Sequence, residues 1–306
     1  MRTSTRRGAI GAILAAAILA ACGSGGGTNE GPDVVIGAQN FGESSILAEI
    51  YRQALADAGY TASVQQLGGF RDLVISSFES GDINFTPEYA ASMLEFLNGF
   101  AGQATSDAQE TSELLRGELE AKDLTAFDPA PAVDTNSFVV TGDTASAVGL
   151  ANLSDLAEKG SDFILGGVPD CPTNAFCLPG LQSVYGLDLS EGFVALDGGG
   201  PLTVAALESG DIDVGILFST SSTIADKGWV RLEDDKGMLA ADNVIPVMTT
   251  EVADAYGAEF RDLVDAVSAA MSTEELTELN RRFDIDHEDA AAIATDWLTT
   301  EGLIGG

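Results

Sequence analysis

LGGFRDLVISSFESGDINFTPEY, residues 67–89, and DGGGPLTVAALESGDIDVGILFST, residues 197–220, carry the same pentapeptide, ESGDI, at 79–83 and 208–212. Both stretches open on a Gly-Gly loop. Both continue into a short helical pattern, with Leu73, Ile75 and Phe78 matching Leu202, Val204 and Leu207. Each pattern stops at a glycine, Gly81 or Gly210, the preferred residue just past a helix C-terminus. An aspartate then leads into an apolar strand, 83–85 in one copy and 212–218 in the other. The echo is one helix, cap and strand unit used twice.

The flanking sequence repeats the alternation. A strand is predicted at 33–38, then a helix at 43–58 with Ile46, Leu47, Ile50, Ala54 and Leu55 on one face, stopped by Gly59. Further strands are predicted at 61–66, 137–141, 162–166, 192–196, 229–232 and 243–249, and the acidic stretch 253–302 reads as helices packing back on the first half. Strands alternating with helices point to two parallel-type α/β lobes with a ligand site at their strand C-termini. The residues after each echo, Thr86-Pro87-Glu88-Tyr89 and Phe218-Ser219-Thr220, would then face each other across a cleft.

The chain begins with a basic segment (Arg2, Arg6, Arg7) and an apolar run from Gly8 to Ala21, too short for a membrane-spanning helix and suited to a signal peptide. The run ends in Leu19-Ala20-Ala21-Cys22-Gly23, which resembles a bacterial lipobox with Cys22 as the lipidated residue. The expected organisation is a signal peptide at 1–21, a flexible tether at 22–32, a first lobe from 33–136 plus 244–306, and a second lobe at 137–243. The body would be exported and held at the outer face of the cytoplasmic membrane through its lipid anchor alone.

The formal net charge is −34, with only four lysines. Such a field repels nucleic acid and anionic lipid. It reads first as a solvated surface; a sharper reading is adaptation to high salt, where screening relieves self-repulsion. Cys171 and Cys177, in CPTNAFC, remain once Cys22 is assigned. In an exported chain they are expected to form a disulfide worth about 2 kcal/mol. His287 is the single histidine, so a metal site lacks ligands, and no metal or cofactor is expected.

GAQNFGES at 37–44, GDINFTPEYAAS at 81–92, LFSTSSTI at 217–224, LEDDKG at 232–237 and NVIPV at 243–247 together resemble the substrate-binding lipoproteins of glycine betaine, choline and carnitine ABC importers. The resemblance runs from about Asp33 to Trp297. It implies a type II periplasmic-binding fold, with two α/β lobes and two crossovers closing on a ligand. It also implies a monomer that serves a membrane permease driven by cytoplasmic ATPase subunits. A quaternary ammonium has no N–H to donate, so its recognition rests on aromatic faces. On the family's tyrosine box, Tyr89 falls at the first position, Phe138 near the second and Phe218 at the third, with Asp242 where many relatives carry tyrosine. Where betaine-binding relatives often carry a lysine and an arginine for the ligand carboxylate, this chain has Gln39 and Asn174, and Ser92 can add a hydroxyl. That set suits choline better than a zwitterion, although backbone amides could still hold a carboxylate.

Tyr51, Tyr60, Tyr185 and Tyr256 fit helix faces or helix ends and read as structural. No phosphate-loop motif, no Gly-x-Ser-x-Gly elbow and no His-Glu-x-x-His site is present, so an enzyme is not expected. Three readings stay open: another small polar ligand such as an amino-acid derivative, a glycosidase built on a carboxylate pair without local signature, and a surface adhesin.

Overall fold

The computed structural model describes residues 31–69, 71–169 and 171–305. The expected signal peptide, Cys22 and the expected tether through residue 30 lie outside the described residues. In chain order the first part contains β1 (Val34–Ala38), α1 (Gly42–Asp57), β2 (Ala62–Gln66), α2 (Arg71–Ser80), β3 (Phe85–Tyr89), α3 (Ala90–Leu97), α4 (Ala108–Glu120) and β4 (Leu124–Ala126). The middle part contains β5 (Asn136–Val140), α5 (Gly142–Val148), α6 (Leu153–Lys159), β6 (Leu165–Gly167), α7 (Leu178–Gly180), a π-helical turn at Leu181–Tyr185, β7 (Val194–Ala195), α8 (Pro201–Ser209), β8 (Val214–Phe218), α9 (Thr223–Asp226) and β9 (Val230–Arg231). The chain then returns through β10 (Val244–Thr249) to α10 (Thr250–Ala269), α11 (Thr273–Asp284) and α12 (Ala290–Thr300).

Two five-stranded sheets result, ordered β2-β1-β3-β10-β4 and β7-β6-β8-β5-β9. They share one topology. In each, three parallel strands are followed by an antiparallel strand that the chain supplies from across a crossover, β10 in the first sheet and β5 in the second. β3 continues through Pro87 beyond the 83–85 predicted, although proline normally ends an internal strand. Pro87 faces Pro246 across β3 and β10, and the Pro246 carbonyl points the other way to accept the Phe127 amide at 3.1 Å. The two prolines therefore meet where neither strand needs an N–H from the other.

The two echoes fold alike. Gly81 and Gly210 adopt φ of +79° and +77°. The Asp82 amide bonds the Ser77 carbonyl and the Gly81 amide bonds that of Phe78. The Asp211 and Gly210 amides do the same with Ala206 and Leu207. These are paired Schellman caps. In both, the serine hydroxyl donates to the next aspartate at 2.7 Å. In both, the residue after isoleucine accepts a backbone N–H from the neighbouring strand: Val35 to Asn84 and Ile164 to Asp213. Leu73 and Leu202 both face solvent, whereas Val74 and Phe78, like Thr203 and Leu207, point inward at the i, i+4 spacing of a helix face.

The predicted apolar face of α1 is fully used: Ile46, Leu47, Ile50, Ala54 and Leu55 are at most 2% exposed. They share a core with Phe85, Phe260, Val264, Ile293 and Trp297, so the C-terminal helices do pack on the first lobe. Cys171 and Cys177 form a disulfide. The four tyrosines read as structural pack that way. Tyr51 bonds Ser268, Tyr60 and Tyr256 surround Phe260, and the Tyr185 hydroxyl bonds Asp234.

Alanine at either left-handed cap glycine has space for its Cβ but a disfavoured backbone. Gly81→Ala and Gly210→Ala should each cost about 1 kcal/mol in urea unfolding, and the two losses should add, since they fall in different sheets. Unchanged midpoints would contradict the requirement for a left-handed cap.

Candidate functional site

Four chain segments meet where β3 and β8 end. The outward crossover, residues 133–135, lies beside the return crossover, residues 241–243. Val133 and Asn243 form an antiparallel bridge, and the Asp134 amide donates to the Asp242 carbonyl at 3.0 Å. The end of β8 is stitched to the outward crossover by the Thr135 amide on Ser219 Oγ at 3.0 Å and the Ser219 amide on the Thr135 carbonyl at 2.9 Å. The start of α3 is stitched to the return crossover by the Ala90 amide on the Asn243 carbonyl. The floor between the lobes is therefore built from both crossovers and both repeated strand ends.

Three side-chain groups occupy it. Glu88, wholly buried on β3, accepts Arg71 Nε at 3.1 Å and Nη2 at 2.7 Å, while its other oxygen accepts Gln39 Nε2 at 3.0 Å. Asp242 takes the Ser92 amide at 2.9 Å on one oxygen and the Ser92 hydroxyl at 2.5 Å on the other, closing the first turn of α3 from outside its own segment. Glu43, in the first turn of α1, accepts the Tyr89 hydroxyl at 2.5 Å, Asn280 Nδ2 at 2.5 Å and the Thr220 hydroxyl at 2.7 Å. The same Thr220 hydroxyl lies 2.8 Å from Asp134 Oδ1.

Four carboxyl groups, Glu43, Glu88, Asp134 and Asp242, are thus at most 9% exposed at one place, and Arg71 is the cation paired among them. Burial pushes Asp242 up to about 6, against the two Ser92 donors that pull it down. Burial also raises Glu43, and raises Asp134 well above the usual carboxylate range, with the Glu43 charge adding to the effect. Two unit charges about 5 Å apart repel by about 3 kcal/mol at an effective dielectric of about 20, so a cluster of this sign favours either a bound proton or a bound cation.

The structure brings Gln39, Tyr89, Ser92 and Asp242 together in these groups. Phe218 ends β8 two residues before Thr220 and is 44% exposed. Phe41 lies 6.2 Å from the Tyr89 ring. Phe138 goes elsewhere: it is wholly buried in the second lobe's core with Val140, Leu165, Val214 and Ile216, so its ring is enclosed by aliphatic side chains and not presented to the floor. Asn174 sits in the disulfide-closed loop, where its Oδ1 accepts the Phe176 amide. Phe176 of that loop packs against a cluster built mostly of first-lobe residues.

Sequence reasoning placed Thr220 at the cleft without giving it a role, and it did not single out Glu43, Arg71, Asp134 or Asn280. Glu88 carried a signal, being a glutamate in the segment that follows the predicted strand 83–85 and was expected to face the cleft.

Two α/β sheets of one topology, joined by paired crossovers around a polar and aromatic floor, define a two-lobed solute-binding protein. The family described as the substrate binding domain of ABC-type glycine betaine transport systems matches residues 32–300, and the chain belongs to it. It is 26% identical to the glycine betaine-binding protein YehZ of Escherichia coli K12 over 278 residues, covering 88% of this chain and 90% of that protein. It is 26% identical to a glycine-betaine-binding protein of Pseudomonas aeruginosa over 279 residues, covering 88% of each. A crystal structure described as a glycine betaine/carnitine/choline ABC transporter superposes with a TM-score of 0.75 at 24% identity, covering 89% of this chain and 99% of that one.

Removing Arg71 would leave the Glu88 carboxylate buried and unpaired. Arg71→Met should lower unfolding free energy by about 3 kcal/mol. Adding Glu88→Gln should recover a large part of that loss. Equal losses in the single and double variants, measured by urea denaturation, would show that the ion pair is not what matters there.

Proposed function

We propose that this chain is the exported solute-binding component of an ABC importer and that it captures a quaternary ammonium of net positive charge, choline in preference to glycine betaine. The observation that carries the reading is the floor between the lobes, where four buried carboxyl groups lie together and the nearby arginine, Arg71, is already engaged by Glu88. A choline-type cation adds the missing positive charge. Glycine betaine brings a carboxylate that this cluster repels.

In this reading the methylammonium head rests on Tyr89, with Phe218 and Phe41 closing the cage, each contact worth roughly 0.5 to 2 kcal/mol. Gln39, Ser92 and Asp242 frame the ligand's polar end. The lobes, residues 33–136 with 244–306 and residues 137–243, close about the crossovers, because contacts to both are made only in the closed arrangement. Asn174 contributes through the disulfide loop, and Phe138 supports the second lobe from within its core. The protein is a monomer anchored through Cys22 outside the cytoplasmic membrane. It hands its ligand to a permease coupled to cytoplasmic ATPases and does no chemistry on it.

One observation favours a second reading. Arg71 spends Nε and Nη2 on Glu88, while Nη1 makes no hydrogen bond among the described residues. A ligand carboxylate could take it, as glycine betaine would.

Isothermal titration with choline and with glycine betaine at one salt concentration separates the two. Choline should bind more tightly, and Tyr89→Ala should weaken it by about 1 kcal/mol, roughly fivefold, with the fold intact. Heat from glycine betaine alone would overturn the charge argument and move the site to Arg71.

A further inference from the structure

Thr220 Oγ1 stands 2.7 Å from Glu43 Oε2 and 2.8 Å from Asp134 Oδ1. A hydroxyl has one hydrogen and can donate to only one of them. The second contact is a hydrogen bond only if that carboxyl is protonated and donates to the hydroxyl oxygen. Glu43 is already served by donors from Tyr89 and Asn280, both at 2.5 Å, as a carboxylate would be. Among the described residues Asp134 receives, besides the hydroxyl, only the Thr220 amide at 3.4 Å. The donor count therefore puts the hydrogen on Asp134, which donates to Thr220, while Thr220 donates to Glu43.

This chain of bonds joins the lobes. Glu43 on α1 and Asn280 on α11 belong to the first lobe, and Asn280 Nδ2 also reaches the Thr220 carbonyl at 3.3 Å. Thr220 follows β8 of the second lobe, and Asp134 lies in the crossover between them. We propose that Glu43 and Asp134 hold one proton between them through Thr220, that this proton fastens the two lobes at the cleft floor, and that a cation entering the cleft displaces it to solvent. The last step rests on the choline reading above; the first two do not.

The surroundings favour keeping the proton. Asp134 faces Glu43, Tyr89 and Asp242, and Glu43 faces Asp284 on α11, with His287 beyond it. Arg71, the nearby cation, is engaged by Glu88. A carboxyl held above its unfolded range stabilises the folded form at acid pH, and this contribution is lost as pH rises through its folded value. The fastening is therefore present while Asp134 is protonated and released on the alkaline side. A bound cation lowers that value, so choline affinity should rise up to tenfold per pH unit while the free protein still holds the proton.

Two measurements test this. In the unliganded protein, carboxyl carbon-13 resonances are followed across about pH 4 to 9 in the parent, Asp134→Asn and Glu43→Gln. The resonance lost in Asp134→Asn should titrate well above the ordinary carboxylate range in the parent and at lower pH in Glu43→Gln. Titration of that resonance within the ordinary carboxylate range in the parent, or at the same pH in Glu43→Gln, overturns the shared proton. Choline is then titrated calorimetrically about one pH unit below the titration point found for that resonance in the unliganded parent, in two buffers that differ widely in ionisation heat. The parent should release about one proton per choline, so its apparent enthalpies differ between buffers, whereas Asp134→Asn should give equal enthalpies. Equal enthalpies in the parent overturn the displacement. If choline gives no heat at all, the choline reading and the displacement fall together, and the resonance titration alone decides the shared proton.

Discussion

Each sheet is completed by a strand that arrives only after the chain has crossed between lobes, and the rest of the molecule depends on that exchange. β10 runs antiparallel between β3 and β4, and β5 runs antiparallel between β8 and β9. The two crossovers are thereby forced side by side, next to the ends of β3 and β8. Asp134 and Asp242, one in each crossover, are carried to the same place as Tyr89 and Thr220. Neither lobe could form its sheet without bringing these groups together.

That placement has an electrostatic consequence. In water four carboxylates near one another cost little, because solvent screens them. Here they are enclosed by backbone and apolar cores, and the chain supplies one arginine. Glu88 is satisfied by Arg71, and Asp242 by the hydroxyl and amide of Ser92. Glu43 takes donors from Tyr89 and Asn280, and it shares with Asp134 the one Thr220 hydroxyl that lies between them. Such a site is incomplete as a set of charges, and a proton or a small cation completes it.

Much of the fold was legible in the sequence. The ESGDI echo specified a helix, its left-handed cap and the following strand, because a Schellman cap is local and glycine marks it. Tyr89 and Phe218 could be placed at equivalent strand ends for the same reason, being equally spaced from their echoes. The floor was not legible. Glu43, Thr220 and Asn280 are joined across 177 and 237 residues of sequence, and Asp134 resembles any other aspartate in a chain with 48 acidic residues. Phe138 was misleading because strand alternation allows either face to be inward. Its pairing opposite Ile216 turns it and Val140 into the second core, while Val139 faces the other side.

The most direct test is a crystal structure of the protein grown with choline. The expected result is one choline between the lobes, its nitrogen within about 6 Å of the Tyr89 ring and beside the Glu43 and Asp134 carboxyl groups. Choline bound away from this floor, or a floor left unchanged with its carboxyl groups still bridged by Thr220, would contradict the cation-completing role assigned to it.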